Sequence, residues 1–186
     1  MAERINSRKK GSRNERDVAK LMATWSGFEF ARTPQSGGLH WKKQNTTGDI
    51  VCIDEKHGHK FPFSIECKNH EDVEFSYLLD GTKGKRTNKI RLFWEQTTND
   101  ATRVNKIPML FIHRKGMPKN SHFICLPTIF IKPFIKDRPD IGFDFGVMTY
   151  VNRDYGLKIS FINSIDLVRL DYMELFKYAR KFLKNG

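Results

Sequence analysis

Gly48-Asp49-Ile50-Val51-Cys52-Ile53, a polar turn from Asp54 to Lys60, and then Phe61-Pro62-Phe63-Ser64-Ile65-Glu66-Cys67-Lys68 form the stretch on which the fold turns. Two short apolar runs separated by a polar turn that contains glycine predict two strands joined as a hairpin. One carboxylate, Asp49, opens the first strand; a second carboxylate and a lysine, Glu66 and Lys68, close the second. Side chains alternate along a strand, so Glu66 and Lys68 share one face while Ile65 and Cys67 share the other. A charge near a buried strand end is costly unless it is paired or binds a metal. Three charges gathered round an apolar hairpin therefore mark a candidate site. The turn histidines, His57 and His59, have no further Cys/His pair at zinc spacing and read as solvated.

Upstream, residues 1–11 carry Arg4, Arg8, Lys9 and Lys10 and are expected to form a flexible basic arm. A helix is predicted from Ser12, with Val18, Leu21, Met22 and Trp25 as its buried stripe and Gly27 as its end. Ser12 and Glu15 have the spacing of a capping box, which alone accounts for Glu15. Glu15 also precedes Val18 and Ala19 by three and four residues, which puts its carboxylate on the core-facing edge, within reach of the end of a sheet. Phe28 to Arg32 reads as a strand. The loop Thr33-Pro34-Gln35-Ser36-Gly37-Gly38 follows, where Ser36 and the backbone N–H groups of Gly37 and Gly38 are candidate phosphate donors.

Downstream, Lys83-Gly84-Lys85-Arg86-Thr87-Asn88-Lys89-Ile90-Arg91 is a basic segment without an acid, so Lys83, Lys85, Arg86 and Lys89 are candidate nucleic-acid contacts. A helix is predicted over Leu92–Asn105, with Phe93, Thr97, Ala101 and Val104 inward and Gln96 beside that stripe. The apolar run Met109-Leu110-Phe111-Ile112 is typical of a central strand and completes a β–α–β crossover with the hairpin. Then come a strand over His122–Leu126, a Pro-punctuated stretch over Ile129–Pro139, strands Phe145–Val151 and Leu157–Ile162, and a helix near Asp171–Leu183 packed through Leu175, Tyr178, Ala179 and Phe182. The expected class is α/β: a central mixed β-sheet flanked by helices, with an extra C-terminal β-hairpin and helix. Residues 12–186 are expected to form one domain, with a core over about 12–115 and an elaboration over about 120–186.

The chain has 186 residues, a formal net charge of +12 and a pI near 9.7. That charge calls for an anionic partner, nucleic acid first. No apolar run approaches the roughly 20 residues that span a bilayer, and the N-terminus has no secretory apolar region. Cys52, Cys67 and Cys125 show no C-x-x-C spacing and read as reduced thiols of a cytoplasmic protein. Three carboxylates from separate segments, Glu15, Asp49 and Glu66, can converge with Lys68 at one end of a sheet. Oxygen ligands suit Mg²⁺ or Mn²⁺ better than zinc. Such a cation polarises a phosphodiester and acidifies an attacking water, while the lysine either holds that water or supplies charge to the transition state.

The residues carry a resemblance across roughly Gly11 to Asn69. The run Gly11-Ser12-Arg13-Asn14-Glu15-Arg16-Asp17-Val18 resembles the helix that opens archaeal-type Holliday-junction resolvases, and Arg32–Gly38 is similar to the loop that follows it. Gly48-Asp49-Ile50-Val51 and Ile65-Glu66-Cys67-Lys68 resemble the hairpin of the PD-(D/E)-x-K nuclease superfamily. The resemblance implies a restriction-endonuclease-like fold and a homodimeric, Mg²⁺-dependent DNA endonuclease (Mn²⁺ as substitute) that nicks four-way junctions in pairs, in recombination or repair. It implies Glu15, Asp49 and Glu66 as metal ligands together with the Cys67 carbonyl, and Lys68 beside the water. Ser36 would lie near the scissile phosphate, and Gln96 would match a glutamine that some members carry on the following helix. Arg13, Arg32, Ser36, Gly37, Lys83, Lys85, Arg86 and Lys89 are the expected DNA contacts. Gly48 departs from the superfamily's proline, and the basic insertion at 71–91 and residues 120–186 exceed a minimal resolvase, which fits small phage-type nucleases. The rival readings are a nicking or repair/restriction-type endonuclease of the same fold, and a nucleic-acid-binding module that does not cleave. No membrane and no small-molecule cofactor is expected.

Overall fold

The structure, a computed structural model, describes residues 7–33, 47–71, 73–74, 89–135, 148–152 and 157–185. In chain order the elements are α1 (Ser7–Ser26), β1 (Phe30–Arg32), β2 (Ile50–Cys52), a 3-10 turn (Gly58–Lys60), β3 (Phe63–His70), α2 (Lys89–Arg103), β4 (Ile107–Arg114), β5 (Phe123–Pro127), α3 (Thr128–Ile135), β6 (Met148–Asn152), β7 (Leu157–Asn163), α4 (Ser164–Leu167) and α5 (Tyr172–Asn185). The described strands form one sheet in the order β1-β2-β3-β4-β5-β7-β6. β3 and β4 run parallel, from Phe63 opposite Ile107 to His70 opposite Arg114. The other neighbouring pairs are antiparallel. The sheet is thus mixed, and its parallel pair is the one that α2 connects, because parallel neighbours need a crossover.

Two apolar layers sandwich the sheet. Val18 and Met22 of α1 and Leu175, Phe176 and Ala179 of α5 pack against Phe63, Ile65, Met109 and Phe111. On the other face Ile90 and Trp94 of α2 pack against Leu110 and Ile112. Strands covered on both faces read as continuous apolar runs, as β4 does.

Several expectations shift. α1 begins at Ser7, so residues 7–11 of the expected arm are helical, and Ser12 lies inside the helix where it cannot serve as N-cap. Gly27, at φ +73°, ends that helix as predicted. α2 begins at Lys89, and its buried residues are Ile90, Trp94, Thr97 and Ala101, not Phe93 or Val104. The Pro-punctuated stretch contains α3, with Pro133 inside it. Proline removes the N–H that would bond the carbonyl of Ile129; the Tyr178 hydroxyl donates to that carbonyl instead, at 3.4 Å. On α5, Phe176 takes the buried place expected of Phe182, which is exposed. The C-terminal hairpin is not an appendage: β7 pairs with β5 and so extends the central sheet.

Candidate active site

β2 meets β3 through a single paired position, Ile50 opposite Ile65. The chain arrives there through Gly48, whose φ is +88°; a Cβ would fall 2.3 Å from the Ile65 carbonyl oxygen. Only glycine allows that approach, and proline, held near φ −65°, is excluded. Thr33 secures the same point by donating its Oγ1 to the Gly48 carbonyl and its N–H to the Asp49 carbonyl, both at 2.8 Å.

Asp49 follows at once. Its N–H donates to the Ile65 carbonyl at 2.7 Å, and its carboxylate accepts the Cys67 N–H at 2.8 Å. The side chain replaces a ladder bond where β2 has turned away. Within a strand the N–H and C=O of one residue project to the same edge. The Cys67 carbonyl therefore faces the same gap as its N–H.

Glu66 and Lys68 share the face of β3 that α2 covers. Lys68 Nζ donates to Glu66 Oε1 at 2.7 Å and to Gln96 Oε1 at 3.1 Å, while Gln96 Nε2 donates to Glu66 Oε1 at 3.1 Å. The ammonium also lies 5.5 Å from the centre of the Phe93 ring. Glu15, from α1, is buried and accepts Arg32 Nε and Nη2 at 2.5 Å. Burial raises the Asp49 carboxyl above its ordinary pKa against the pull of the Cys67 N–H, Lys68 and Arg32. Burial also raises Glu66, and the charge of Asp49 adds to it, with Glu15 a smaller contributor. The Cys67 thiol is pushed well up by burial and is no nucleophile.

The structure therefore brings Glu15, Arg32, Asp49, Glu66, Cys67, Lys68 and Gln96 to one end of the sheet. Arg32 pairs with Glu15, a contact that strand alternation does not foretell. Arg13 lies apart, on a cavity beside α1. Lys89 Nζ stands 3.3 Å from His70 Nε2. Ser36, Gly37, Lys83, Lys85 and Arg86 lie outside the described residues.

Among the described residues no three His, Cys, Asp or Glu side chains form a group that holds a metal alone. Asp49, half-buried, and Glu66, buried, are nonetheless two oxygen donors, and the charge of Asp49 raises the pKa of Glu66. A dication relieves that repulsion. Mg²⁺ in particular is commonly held by one or two carboxylates, with waters and substrate phosphates completing its shell. The donor set fits such an open site and not a closed tetrahedral zinc site.

A mixed sheet flanked by helices, with Asp49 and Glu66-x-Lys68 converging where β2 leaves β3, defines a PD-(D/E)xK nuclease of restriction-endonuclease-like fold. Residues 6–143 match the family described as "Phage putative PDDEXK endonuclease", and the chain belongs to it. The superfamily generally uses divalent metals. Among curated proteins the chain is similar to "Protein D14" of Escherichia phage T5, at 27% identity over 110 residues. That match covers 59% of this chain and 66% of the relative, just under two thirds of its length. No solved structure matches. Among the described residues no helix is long and apolar enough to cross a membrane.

Proposed function

We propose that the protein is a metal-dependent DNA endonuclease that hydrolyses phosphodiesters in branched DNA, with the four-way junction as preferred substrate and a homodimer as working form. The observation that carries the reading is the Asp49 carboxylate, pinned by the Cys67 N–H beside the Glu66–Lys68–Gln96 triangle. In this reading Asp49, Glu66 and the Cys67 carbonyl hold Mg²⁺, or Mn²⁺ in its place, and Glu15 is the third carboxylate of the set. Bound there, the cation supplies Lewis-acid polarisation of the phosphoryl group and a more acidic water. Lys68 brings a fixed positive charge to the phosphoryl oxygens, where charge builds up in the transition state. Gln96 and the Phe93 ring restrict where the Lys68 ammonium points. Arg13, Arg32, Ser36, Gly37 and the basic segment Lys83, Lys85, Arg86 and Lys89 hold the DNA backbone. Junction preference rests on the resemblance of Gly11–Asn69 to junction resolvases, and the dimer on the need for two sites to make two symmetric nicks.

The test is cleavage of a four-way junction beside linear duplex, flap and single strand, with Mg²⁺, with Mn²⁺ and with chelator. Paired nicks in the junction alone, abolished by chelator, are expected. Equal cutting of linear duplex ends the junction reading. No cutting of any DNA with either metal ends the nuclease reading.

A further inference from the structure

On the face of β3 opposite Glu66 and Lys68 lies a cavity of about 260 Å³ that the reaction does not use. Its walls come from the first half of α1, the end of β3, β4 and the turn into β5. Arg13 and Lys119 bring cations from two of these elements. Lys10 also reaches it but pairs with Glu71 at 3.1 Å, and Asp17 is its one acid. Inside stands His122, only 1% exposed. Its Nε2 bonds Asn14 Oδ1 at 2.9 Å, whereas Nδ1 has no hydrogen-bond partner of ordinary geometry and the Asn120 backbone interacts with the ring only weakly. His113 lies beside it, the ring centres 5.6 Å apart, with its Nδ1 bonded to the Ser121 carbonyl.

A buried polar atom without a partner is costly and rare in a native interior. Here it sits in a cavity whose rim is cationic and whose walls carry the Asn14 and Asn69 amides. Oδ1 of Asn14 is taken by His122, so its NH₂ remains as a donor. With Nε2 donating to Asn14, the unpaired Nδ1 of the neutral His122 ring is a lone pair, which becomes a donor only when the ring is protonated; the charge of a bound phosphate favours that protonation. The surrounding cations and amide donors suit a phosphate group, not an apolar ligand. The volume is small, below the roughly 300 Å³ at which drug-sized pockets begin, and admits about one nucleotide.

Position gives the ligand its source. Lys68 and Asn69 are consecutive on β3, and Asn14 and Glu15 are consecutive on α1. Neighbouring strand residues face opposite sides of the sheet, so the cavity lies one residue from the candidate active site on both elements, round the end of β3. A stiff duplex cannot fold round that end; an unpaired strand can. We propose that the cavity binds the backbone phosphate of an unpaired nucleotide next to the bond being cut. This inference rests on the nuclease reading and supplies it with a structural source of preference for branched or frayed DNA.

The experiment follows the histidine ring signals of the full-length wild-type chain by NMR, in chelator so that nothing is cut. Single-stranded oligonucleotide, blunt duplex and inorganic phosphate are titrated separately. Single strand is expected to shift His122 and His113 saturably, with affinity about tenfold weaker in Arg13→Gln and in Lys119→Gln, and with a salt dependence reduced by about 0.7 in slope for the lost phosphate contact. Lys119→Gln alters an exposed turn residue, and an unchanged amide spectrum verifies its fold. Histidine signals that stay still with every probe overturn the proposal, as does duplex shifting them as strongly as single strand. Inorganic phosphate moving them while the oligonucleotide does not also overturns it, in favour of a free-phosphate site. A junction left uncut by the wild type, with the histidine response intact, defeats the nuclease reading alone. Normal cutting with silent histidines defeats the cavity proposal alone.

Discussion

The two halves of β3 differ in what lies along their β2 edge. From Phe63 to Ile65 the strand is buried and β2 pairs with it at Ile65; from Cys67 onward β2 has left, and among the described residues only β4 pairs with it. The first half is ordinary core. The second keeps its parallel ladder but opens one edge, and the charged side chains gather at that opening. The site thus comes from ending one strand early, with the Asp49 side chain closing the ladder bond that β2 leaves unmade. Rigidity on the β4 side is what allows an open, charged edge on the other without loss of position.

The comparison breaks hardest at two residues of one face. Glu66→Gln removes a donor oxygen and a charge from the open half, and cleavage is expected to fall on the order of 10³-fold, roughly 4 kcal/mol of transition-state stabilisation. Ser64→Ala, two residues earlier, loses the Thr47–Ser64 hydroxyl bond. It is expected to cost about 1 kcal/mol of stability and to leave cleavage near wild type. Initial rates on a labelled junction, with urea melts beside them, decide. Equal rates for wild type and Glu66→Gln would erase the functional distinction between the halves. Because burial and Asp49 raise the Glu66 pKa, the metal-free Glu66→Gln protein should melt no lower than wild type.

A second contrast tests the hinge between the halves. Gly48→Ala drives a Cβ to 2.3 Å from backbone, whereas Gly27→Ala, also at positive φ, meets nothing within 4 Å. Gly27→Ala should cost about 1 kcal/mol from its backbone conformation. Gly48→Ala should cost on the order of 3 kcal/mol, because β2 and β3 must move apart. Urea midpoints for the two variants measure this, and equal losses would mean that β2 yields freely.

The cavity beside this open half adds a pH dependence that the apolar half lacks. Burial first, and then the neighbouring His113, lower His122 from 6.5 to about 4. An unfolded chain then takes up the proton more readily than the folded one. Stability is complete above about pH 6.5 and falls as pH drops toward 4, by about 3 kcal/mol in full. The raised Asp49 and Glu66 act in the opposite sense, since their protonation favours the folded state as pH falls. Urea unfolding of wild type and His122→Asn between pH 7.5 and 4.5 separates the two. The variant should lose the acid-side decline, and an unchanged slope would show that His122 is not its source.

What the sequence revealed follows the same division. Asp49, Glu66 and Lys68 lie within 20 residues, and the period-two alternation of a strand sets which of them share a face. That made the hairpin, its antiparallel pairing and the parallel β3–β4 crossover readable. Glu15 was placed near the sheet by helical spacing, but its Arg32 partner was not, because alternation names a face and not what stands opposite it. His122 meets Asn14 across 108 positions of chain, and no local pattern announces that contact. Pro133 misled for a related reason: its helix is allowed by a hydroxyl that α5 supplies. Gly48 departs from the superfamily's proline, and its φ shows that this entry to β2 excludes proline altogether.

The smallest effect is expected at Gln96, and it concerns position more than charge. Gln96 touches Glu66 through Nε2 and Lys68 through Oε1 and so orients both without contributing a ligand. Its side chain is exposed, so Gln96→Met should leave the melting temperature within a degree or so. Loss of two net hydrogen bonds in an open site is worth about 1 kcal/mol, or some five- to tenfold in rate. A positioning role places that loss in kcal/mol of kcat with KM for DNA little changed, since Lys68 is then misdirected only when charge develops on the phosphate. Gln96→Glu sharpens the point. It keeps an acceptor for Lys68 but sets a third carboxylate against Glu66, and it should cut more slowly than Gln96→Met at neutral pH. Were Gln96→Glu the faster of the two, the acceptor for Lys68 would be the whole of its contribution, and the bond to Glu66 incidental.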